Sequence, residues 1–199
     1  MPTKQPDRRV ARTRELVLEA FRTLMVDRGY EKMTVQHVLD RSGVGRATFY
    51  AHFKSKQDLM ASSVGRLKAG LRNAWQEEAR RNRRAAEPVG FSLGFLRHVD
   101  SHRRIYDQVM GKSSEITIDR HMRRMLGELA REDLLGRPGA RRNSKALEVA
   151  AELVSGALWS LVVWWLSTRS RMSAEEVDAH FRKLILQGLD GALGVKSAD

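Results

Sequence analysis

Residues 34–56, TVQHVLDRSGVGRATFYAHFKSK, constrain the fold more than any other stretch of the chain. The hydroxyl of Thr34 is suited to cap the amino end of a helix. Apolar residues then follow at helical spacing, at Val35, Val38 and Leu39. Gly43 interrupts this pattern, because glycine enters the left-handed region at little cost and permits a sharp change of direction. A second short helix from Gly45 onward would complete a helix-turn-helix.

The second helix carries the side chains that would read a nucleic acid. We expect Ala47 and Phe49 to lie near the inside. Arg46 is the candidate for base readout, because its guanidinium can engage O6 and N7 of guanine with two hydrogen bonds. The polar groups expected to hold phosphates are Thr34, Thr48, Tyr50, His52 and Lys56, with Gln36 and His37 reaching the DNA backbone from the preceding helix.

Composition agrees with an anionic partner. The 199 residues carry a net charge of +12, which favours binding to nucleic acid. Residues 1–56 hold twelve Lys and Arg against six Asp and Glu, so half of the net charge lies in little more than a quarter of the chain. Cysteine is absent, which excludes disulfides and thiolate chemistry. With no signal-peptide pattern at residues 1–14, and an apolar run at residues 157–166 too short to span a bilayer, we expect a cytoplasmic protein without membrane contact.

The order of these short motifs resembles the TetR family of bacterial transcriptional regulators. The resemblance rests on the Ser42-Gly43-Val44 turn, on Thr48-Phe49-Tyr50, on the run from His52 to Lys56, and on Leu59. The motifs that carry the resemblance cover about the first quarter of the chain. Beyond that quarter, only the arrangement of the predicted helices resembles the family. Gly45 and Leu39 depart from the usual pattern, which more often has a hydroxyl cap and a small residue at these positions. Glycine is an acceptable cap, so neither departure removes the resemblance.

The remaining sequence predicts an all-α protein of about nine helices. Residues 1–6 form a basic arm that could reach a phosphate or simply fray. A first helix is predicted over residues 7–28, capped by Asp7 and ended by Gly29. A fourth, opened by Ser55 and Asp58, extends to about residue 81. Later helices are predicted from Pro88, over residues 103–110 and 114–135, from residue 143 or 144, and from Ser173. We expect a DNA-binding domain over residues 1–56 and an effector-binding and dimerisation domain over residues 57–199.

The resemblance implies a small-molecule cavity among the middle helices, lined by apolar side chains with a few polar groups. The candidate lining residues are Phe91, Phe95, His98, His102, Tyr106, Met110, His121, Met122 and Met125. His98 and His102 have the i, i+4 spacing of a metal-binding pair. They lack the glutamate of the zinc-protease motif, however, so we expect no metal site. With no nucleophile elbow, P-loop or dinucleotide fingerprint in the sequence, we expect neither catalysis nor a cofactor.

The last two helices are strongly apolar. A seam of four- and three-residue steps on the first of them is typical of helix packing, and Val149, Leu153, Ala157 and Trp164 form a second apolar face. Such a helix must be covered on both sides. The resemblance implies a homodimer formed by these two helices, and the residues assigned to it are Leu147, Ala151, Val154, Leu158, Leu161, Trp165, Phe181, Leu184 and Ile185. An intrachain bundle is the alternative.

Taken together, the expected function is that of a DNA-binding regulator, a repressor released from a pseudo-palindromic operator by a small apolar effector. Two alternatives remain at this point. One is a ligand-independent DNA-organising or protein-interaction module, and the other is a metal sensor based on histidine.

Overall fold

The computed structural model describes residues 8–81, 88–109, 115–136 and 144–193. Over these ranges the chain forms helices and no strand, which confirms the all-α class. The nine helices of the described ranges are α1 (Arg8–Lys32), α2 (Val35–Ser42), α3 (Arg46–His52), α4 (Lys56–Arg81), α5 (Ser92–Ser101), α6 (Arg103–Val109), α7 (Glu115–Leu135), α8 (Lys145–Ser167) and α9 (Ala174–Leu193). The basic arm, the Asp7 cap and Met110 lie outside the described residues.

Most helix boundaries follow from local capping, as predicted. Ser55 accepts a hydrogen bond from the amide of Asp58 at 3.2 Å, and Ser144 accepts one from Leu147 at 3.2 Å. Ser173 and Glu176 form a reciprocal pair at the start of α9, with N–H to oxygen distances of 3.2 and 2.7 Å. These side chains satisfy amides that a helix amino end leaves without intrahelical partners.

Two boundaries differ from the sequence prediction. At Gly29 the backbone turns to φ 74°, but helical structure resumes and α1 ends only at Lys32. Pro88 does not open a helix; it lies in a turn, and α5 begins at Ser92. The reason is Val89, whose φ of 57° is incompatible with a helix. Its amide donates a hydrogen bond to the buried carboxylate of Asp133, which holds this turn from α7.

The chain divides into two compact units. Unit 1 comprises residues 1–66 and 104–116, and unit 2 comprises residues 67–103 and 117–199, so the division falls within α4. The core of unit 1 is built mainly from α1 and from the aromatic residues around α3. The fully buried side chains there include Val17, Phe21, Val38, Phe49, Phe53 and Leu59. Val10, on the first turn of α1, is exposed. A domain boundary after residue 56 remains a prediction.

Unit 2 has its core among α5, α7, α8 and α9. Phe95 and Trp159 pack with ring centroids 6.5 Å apart, and the indole N–H of Trp159 donates to Asp119 at 2.7 Å. By length and composition α8 could cross a membrane, with a mean hydropathy of 1.6. Residues buried in the chain make up 44% of that apolar window. Because a core helix passes the same test, we interpret α8 as a core helix.

Candidate nucleic-acid interface

Helix α2 is fixed at both ends by the residues that the sequence singled out. The Thr34 hydroxyl accepts a hydrogen bond from the amide of His37 at 3.2 Å, and Nδ1 of His37 accepts one from the amide of Thr34 at 3.3 Å. At the other end Gly43 adopts φ 66°, and its amide donates to the carbonyl of Leu39 at 3.0 Å. The chain therefore leaves α2 in a defined direction toward α3.

Helix α3 is anchored by one aromatic side chain and exposes most of the others. Phe49 is completely buried, with its ring 5.7 Å from that of Phe53. Tyr50 is 49% exposed. The other exposed residues on and before α3 are Gly45, Arg46, Ala47, Thr48 and Ala51. Ala47 was expected inside, but its side of this seven-residue helix faces outward while Phe49 alone reaches the core. A short, largely exposed helix behind a tight turn is suited to enter a DNA groove.

The predicted reader Arg46 has a specific neighbour. Its Nη2 donates a hydrogen bond to Oε1 of Gln36 at 2.6 Å, and Nε2 of Gln36 donates to Oδ1 of Asp40 at 2.7 Å. All three residues are exposed. The guanidinium is thereby held against α2 while its remaining N–H groups stay available to a ligand.

His52 and Lys56 are less open than the sequence suggested. The carbonyl of His52 accepts a hydrogen bond from Nη1 of Arg14 at 3.0 Å. Lys56 donates from Nζ to the carbonyl of Tyr30 at 2.9 Å and lies 4.3 Å from the centre of the Tyr30 ring. Burial lowers the pKa of Lys56, opposed by the charge of Glu31. Lys56 thus ties the start of α4 to the end of α1, and a phosphate contact by its ammonium remains a prediction.

The sequence analysis did not single out several exposed cations on α1 and directly after α3. Lys54 is exposed next to α3, and Arg8, Arg9 and Arg12 are exposed on the first turns of α1. Arg41 forms an ion pair with Asp27, with its Nη1 atom 2.8 Å from Oδ2 of the carboxylate. The signal that could have identified Lys54 is its position in the HFKSK run immediately after α3.

The effector candidates occupy different environments. Phe91, Phe95, Met122 and Met125 are buried in unit 2. His121 is half-buried, with Nδ1 2.8 Å from the carbonyl oxygen of Thr117. Tyr106 is buried and belongs to unit 1, and burial raises the pKa of its phenol. These positions fit apolar packing, and their contact with an effector remains a prediction.

His98 and His102 stack with ring centroids 4.2 Å apart and planes inclined by 27°. Burial, followed by the charge of His102, lowers the pKa of His98 to about 4. Nδ1 of His102 lies 2.9 Å from the carbonyl oxygen of His98, so this nitrogen is hydrogen-bonded to the backbone at the end of α5. Among the described residues no group of three or more His, Asp or Glu side chains is placed to hold a metal ion.

The seam assigned to dimerisation lies mostly inside the chain. Five of its α8 residues are buried, namely Leu147, Ala151, Val154, Leu158 and Trp165, as is Phe181 of α9, while Leu161 and Ile185 are half-buried. The buried side chains pack within the chain, and a contact of this seam with a second copy remains a prediction. The apolar residues that remain exposed are Val149 (58%), Leu153 (65%) and Trp164 (45%) on α8 and Leu184 (72%) on α9.

Known proteins resemble this chain most clearly around α1 to α3. Residues 17–62 match the profile of the bacterial regulatory proteins, tetR family. A 64-residue segment is 38% identical to the uncharacterized HTH-type transcriptional regulator YxbF of Bacillus subtilis, covering 32% of this chain but 17% of that protein. The HTH-type transcriptional repressor KstR2 of Mycolicibacterium smegmatis is 22% identical, over 94% of this chain and 96% of its own length.

Solved structures share the fold over nearly the whole chain. A putative TetR-family regulator from Syntrophomonas wolfei superposes with a TM-score of 0.65 at 15% identity, covering 95% of this chain and 99% of its own. RolR in complex with resorcinol gives a TM-score of 0.60 at 22% identity, covering 98% and 97%. Together with the match of residues 17–62, the helix-turn-helix geometry identifies a DNA-binding transcriptional regulator. Within that class, the match of residues 17–62 and the shared fold make the chain similar to regulators of the TetR family.

Proposed function

We propose that this regulator is a cytoplasmic repressor that leaves its operator when a small apolar molecule binds, and that it is not an enzyme. The DNA-binding part of this proposal rests on the exposed polar face of α3, which presents Arg46, Thr48 and Tyr50. This helix follows α2, which is capped at its start and ended by a glycine. Such a helix can lie in a major groove, where base edges carry a distinguishable pattern of donors and acceptors.

Within this surface we assign Arg46 to a base and the flanking groups to phosphates. An arginine held at one nitrogen still offers the two N–H groups that guanine requires. Thr34, Thr48, Tyr50 and the exposed Lys54 present hydroxyl or ammonium groups, which suit phosphate oxygens and set the register of the protein on DNA.

Two copies of the chain are proposed to bind two half-sites of a pseudo-palindrome. The contact between copies is assigned to the exposed apolar face of α8, formed by Val149, Leu153, Ala157 and Trp164, together with Leu184 of α9. Exposed apolar side chains repeated along one helix face favour burial against a second protein surface. In a symmetric dimer the two α3 helices would meet successive major grooves about 34–36 Å apart.

The effector is proposed to enter among α5, α7 and α8, where buried aromatic and methionine side chains surround half-buried histidines. RolR, which has the same fold, is in complex with the small phenol resorcinol. The effector must bind the arrangement unable to hold DNA more tightly than the DNA-bound one, since otherwise it shifts no equilibrium. Repression is the proposed direction because KstR2, similar over nearly the full length, is a repressor.

Fluorescence anisotropy with DNA flanking the coding region of the protein tests this proposal. Tight binding that resists scrambled competitor at physiological salt, with two or four protomers per duplex, is the expected result. A compound that releases the protein from this duplex and raises its melting temperature would support the effector. Weak binding that scrambled competitor abolishes would contradict a local repressor and would favour a DNA-organising protein.

A further inference from the structure

Gln36 lies between two opposite charges on the proposed DNA-binding surface. Its Nε2 donates a hydrogen bond to Oδ1 of Asp40 at 2.7 Å, and its Oε1 accepts one from Nη2 of Arg46 at 2.6 Å. Asp40 and Gln36 are one turn apart on α2, whereas Arg46 is the first residue of α3. The chain of hydrogen bonds therefore crosses the turn and joins the reading helix to its predecessor.

The partners fix the orientation of the Gln36 amide. A carboxylate only accepts hydrogen bonds and a guanidinium only donates them. Rotating the amide by half a turn would place its NH₂ group against the N–H groups of Arg46 and its oxygen against Asp40. Both contacts would then be repulsive, so Asp40 determines that Gln36 presents its oxygen to Arg46.

This arrangement is compatible with base readout by Arg46. A guanidinium carries five N–H donors, and the bond to Gln36 uses one of them. Two of the other four are enough for the O6 and N7 atoms of guanine. Gln36 itself would need both its oxygen and its nitrogen to read adenine. Since both are occupied, Gln36 is suited to orient Arg46 rather than to read a base.

We propose that Asp40 and Gln36 are positioning residues that hold Arg46 in the conformation in which it reads its base pair. The inference rests on the proposed role of Arg46 in base readout. An exposed arginine loses rotamer freedom when it binds, and a side chain that is already oriented loses less. The Asp40 carboxylate also weakens non-specific attraction between Arg46 and phosphates. Both effects act on discrimination between sequences more than on total affinity.

The test uses the full-length protein and a duplex that it selects from a random library. Binding is measured for this duplex and for each single base-pair substitution in one half-site. Arg46→Ala identifies the base pair that Arg46 reads. We expect Asp40→Ala and Gln36→Leu to reduce discrimination about two- to tenfold at that same base pair. Asp40→Asn should retain most of it, because its amide oxygen still accepts from Gln36.

Asp27→Ala is the matched control. It removes one negative charge from unit 1 and releases Arg41, whose contact with Asp27 is 2.8 Å, without touching Gln36. This variant should strengthen binding to all duplexes alike and leave discrimination unchanged. Thermal unfolding of each variant accompanies the binding data, so that a loss of folded protein is not counted as a loss of discrimination.

Three results would overturn the positioning role. Equal loss at every base pair would mean that Asp40 supports α2 as a whole. Loss at a different base pair that persists in the Arg46→Ala background would mean that Asp40 contacts DNA directly. Wild-type protein that does not distinguish its selected duplex from scrambled DNA would remove the proposed function and the positioning role with it. If the wild-type protein distinguishes its selected duplex but either of the first two results is found, the proposed function stands and only the positioning role is removed.

Discussion

At the scale of single residues, Arg46 and Lys56 are both cations of the helix-turn-helix but have different surroundings. Arg46 is exposed and bonded only at one nitrogen to Gln36, among the contacts described. Arg46→Ala is expected to cost about 1–3 kcal/mol of binding free energy at one base pair and to relax specificity there. Anisotropy with the selected duplex and its substituted versions measures this loss. An equal loss on selected and scrambled DNA would contradict base readout.

Lys56 is expected to act on stability as well as on affinity. Its Nζ donates to the Tyr30 carbonyl at 2.9 Å and lies over the Tyr30 ring. Lys56→Ala should lower the free energy of unfolding by about 1 kcal/mol, because a charged hydrogen bond and a cation–π contact are lost together. It should also weaken binding to all DNA sequences and flatten the salt dependence. Urea unfolding monitored by circular dichroism measures the stability term.

The exposed Lys54 provides the control for Lys56. Lys54→Ala removes the same charge two residues earlier, and surface substitutions of this kind usually change stability by less than about 0.5 kcal/mol. The two variants should therefore differ in unfolding free energy while both reduce the salt slope. Equal stability of Lys54→Ala and Lys56→Ala would show that the contact with Tyr30 contributes nothing measurable.

We expect Asp178 to make the stability of the fold depend on pH. It is buried beside Ser92, whose hydroxyl also lies 2.7 Å from the carbonyl oxygen of Val89. The Ser92 hydroxyl donates toward both Oδ1 of Asp178 and the Val89 carbonyl, so its single proton is shared between two acceptors. Burial raises the pKa of Asp178 above its ordinary value of 3.8, and Glu175 adds to the rise, while the Ser92 hydrogen bond and the charges of Arg182 and Arg97 oppose it.

Since the folded-state pKa is raised, the stabilisation from protonated Asp178 is fully present below the unfolded-state pKa. It is lost as pH rises through the folded-state pKa. We expect the difference in unfolding free energy between wild type and Asp178→Asn to fall as pH rises from the unfolded-state pKa through the folded-state pKa. Urea titrations from acidic to neutral pH measure this difference. Glu175→Gln is the control of opposite sign, because hydrogen bonding to Arg97 lowers the pKa of Glu175. A pH-independent difference for Asp178→Asn would refute the assignment.

At the scale of elements, the turn between α2 and α3 depends on one backbone conformation. Gly43 has φ 66°, and a Cβ added there would meet no atom within 4 Å. Gly43→Ala should therefore lower the unfolding free energy by about 1 kcal/mol through backbone strain alone. Gly65→Ala is the control, since a Cβ there also meets nothing and Gly65 lies inside α4 without a left-handed backbone conformation. Equal melting temperatures for the two variants would argue against strain at Gly43.

Sequence reasoning succeeded where the cause of a structure is local. The caps at Thr34 and Ser55 and the glycine end at Gly43 were predicted, and Ser144 was one of two candidates for its cap, because each depends on residues within one helical turn. It failed at Val89, whose left-handed conformation is stabilised by Asp133, 44 residues away. No periodicity carries that information. The link from Asp40 through Gln36 to Arg46 was missed for the same reason, because it crosses the turn.

At the scale of the whole molecule, α8 shows why periodicity alone could not place the contact between copies. Both faces of the helix are apolar, so sequence indicates that both are covered but not by what. The structure covers the seam that contains Val154 and Leu158, which are completely buried. The face with Val149, Leu153 and Trp164 remains exposed. This face makes α8 more hydrophobic than packing within a single chain requires.

The proposed dimer therefore depends on Leu153, which is 65% exposed. Leu153→Glu should leave the fold intact and shift the protein toward monomer, because a carboxylate would be buried without a partner in the dimer contact. Light scattering after size-exclusion chromatography measures the mass, and circular dichroism measures folding. Binding to the selected duplex should weaken as well, since two linked readers bind more tightly than one.

Leu16→Glu distinguishes this effect from a general consequence of a surface charge. Leu16 is also an exposed leucine, at 47%, but it lies on α1 in unit 1. We expect this variant to keep the mass and melting temperature of the wild type. If Leu153→Glu and Leu16→Glu both keep the wild-type mass, copies of the chain do not meet through α8. If wild type itself is a monomer at the concentrations that bind DNA, the two half-sites are occupied independently and the exposed face of α8 must serve another partner.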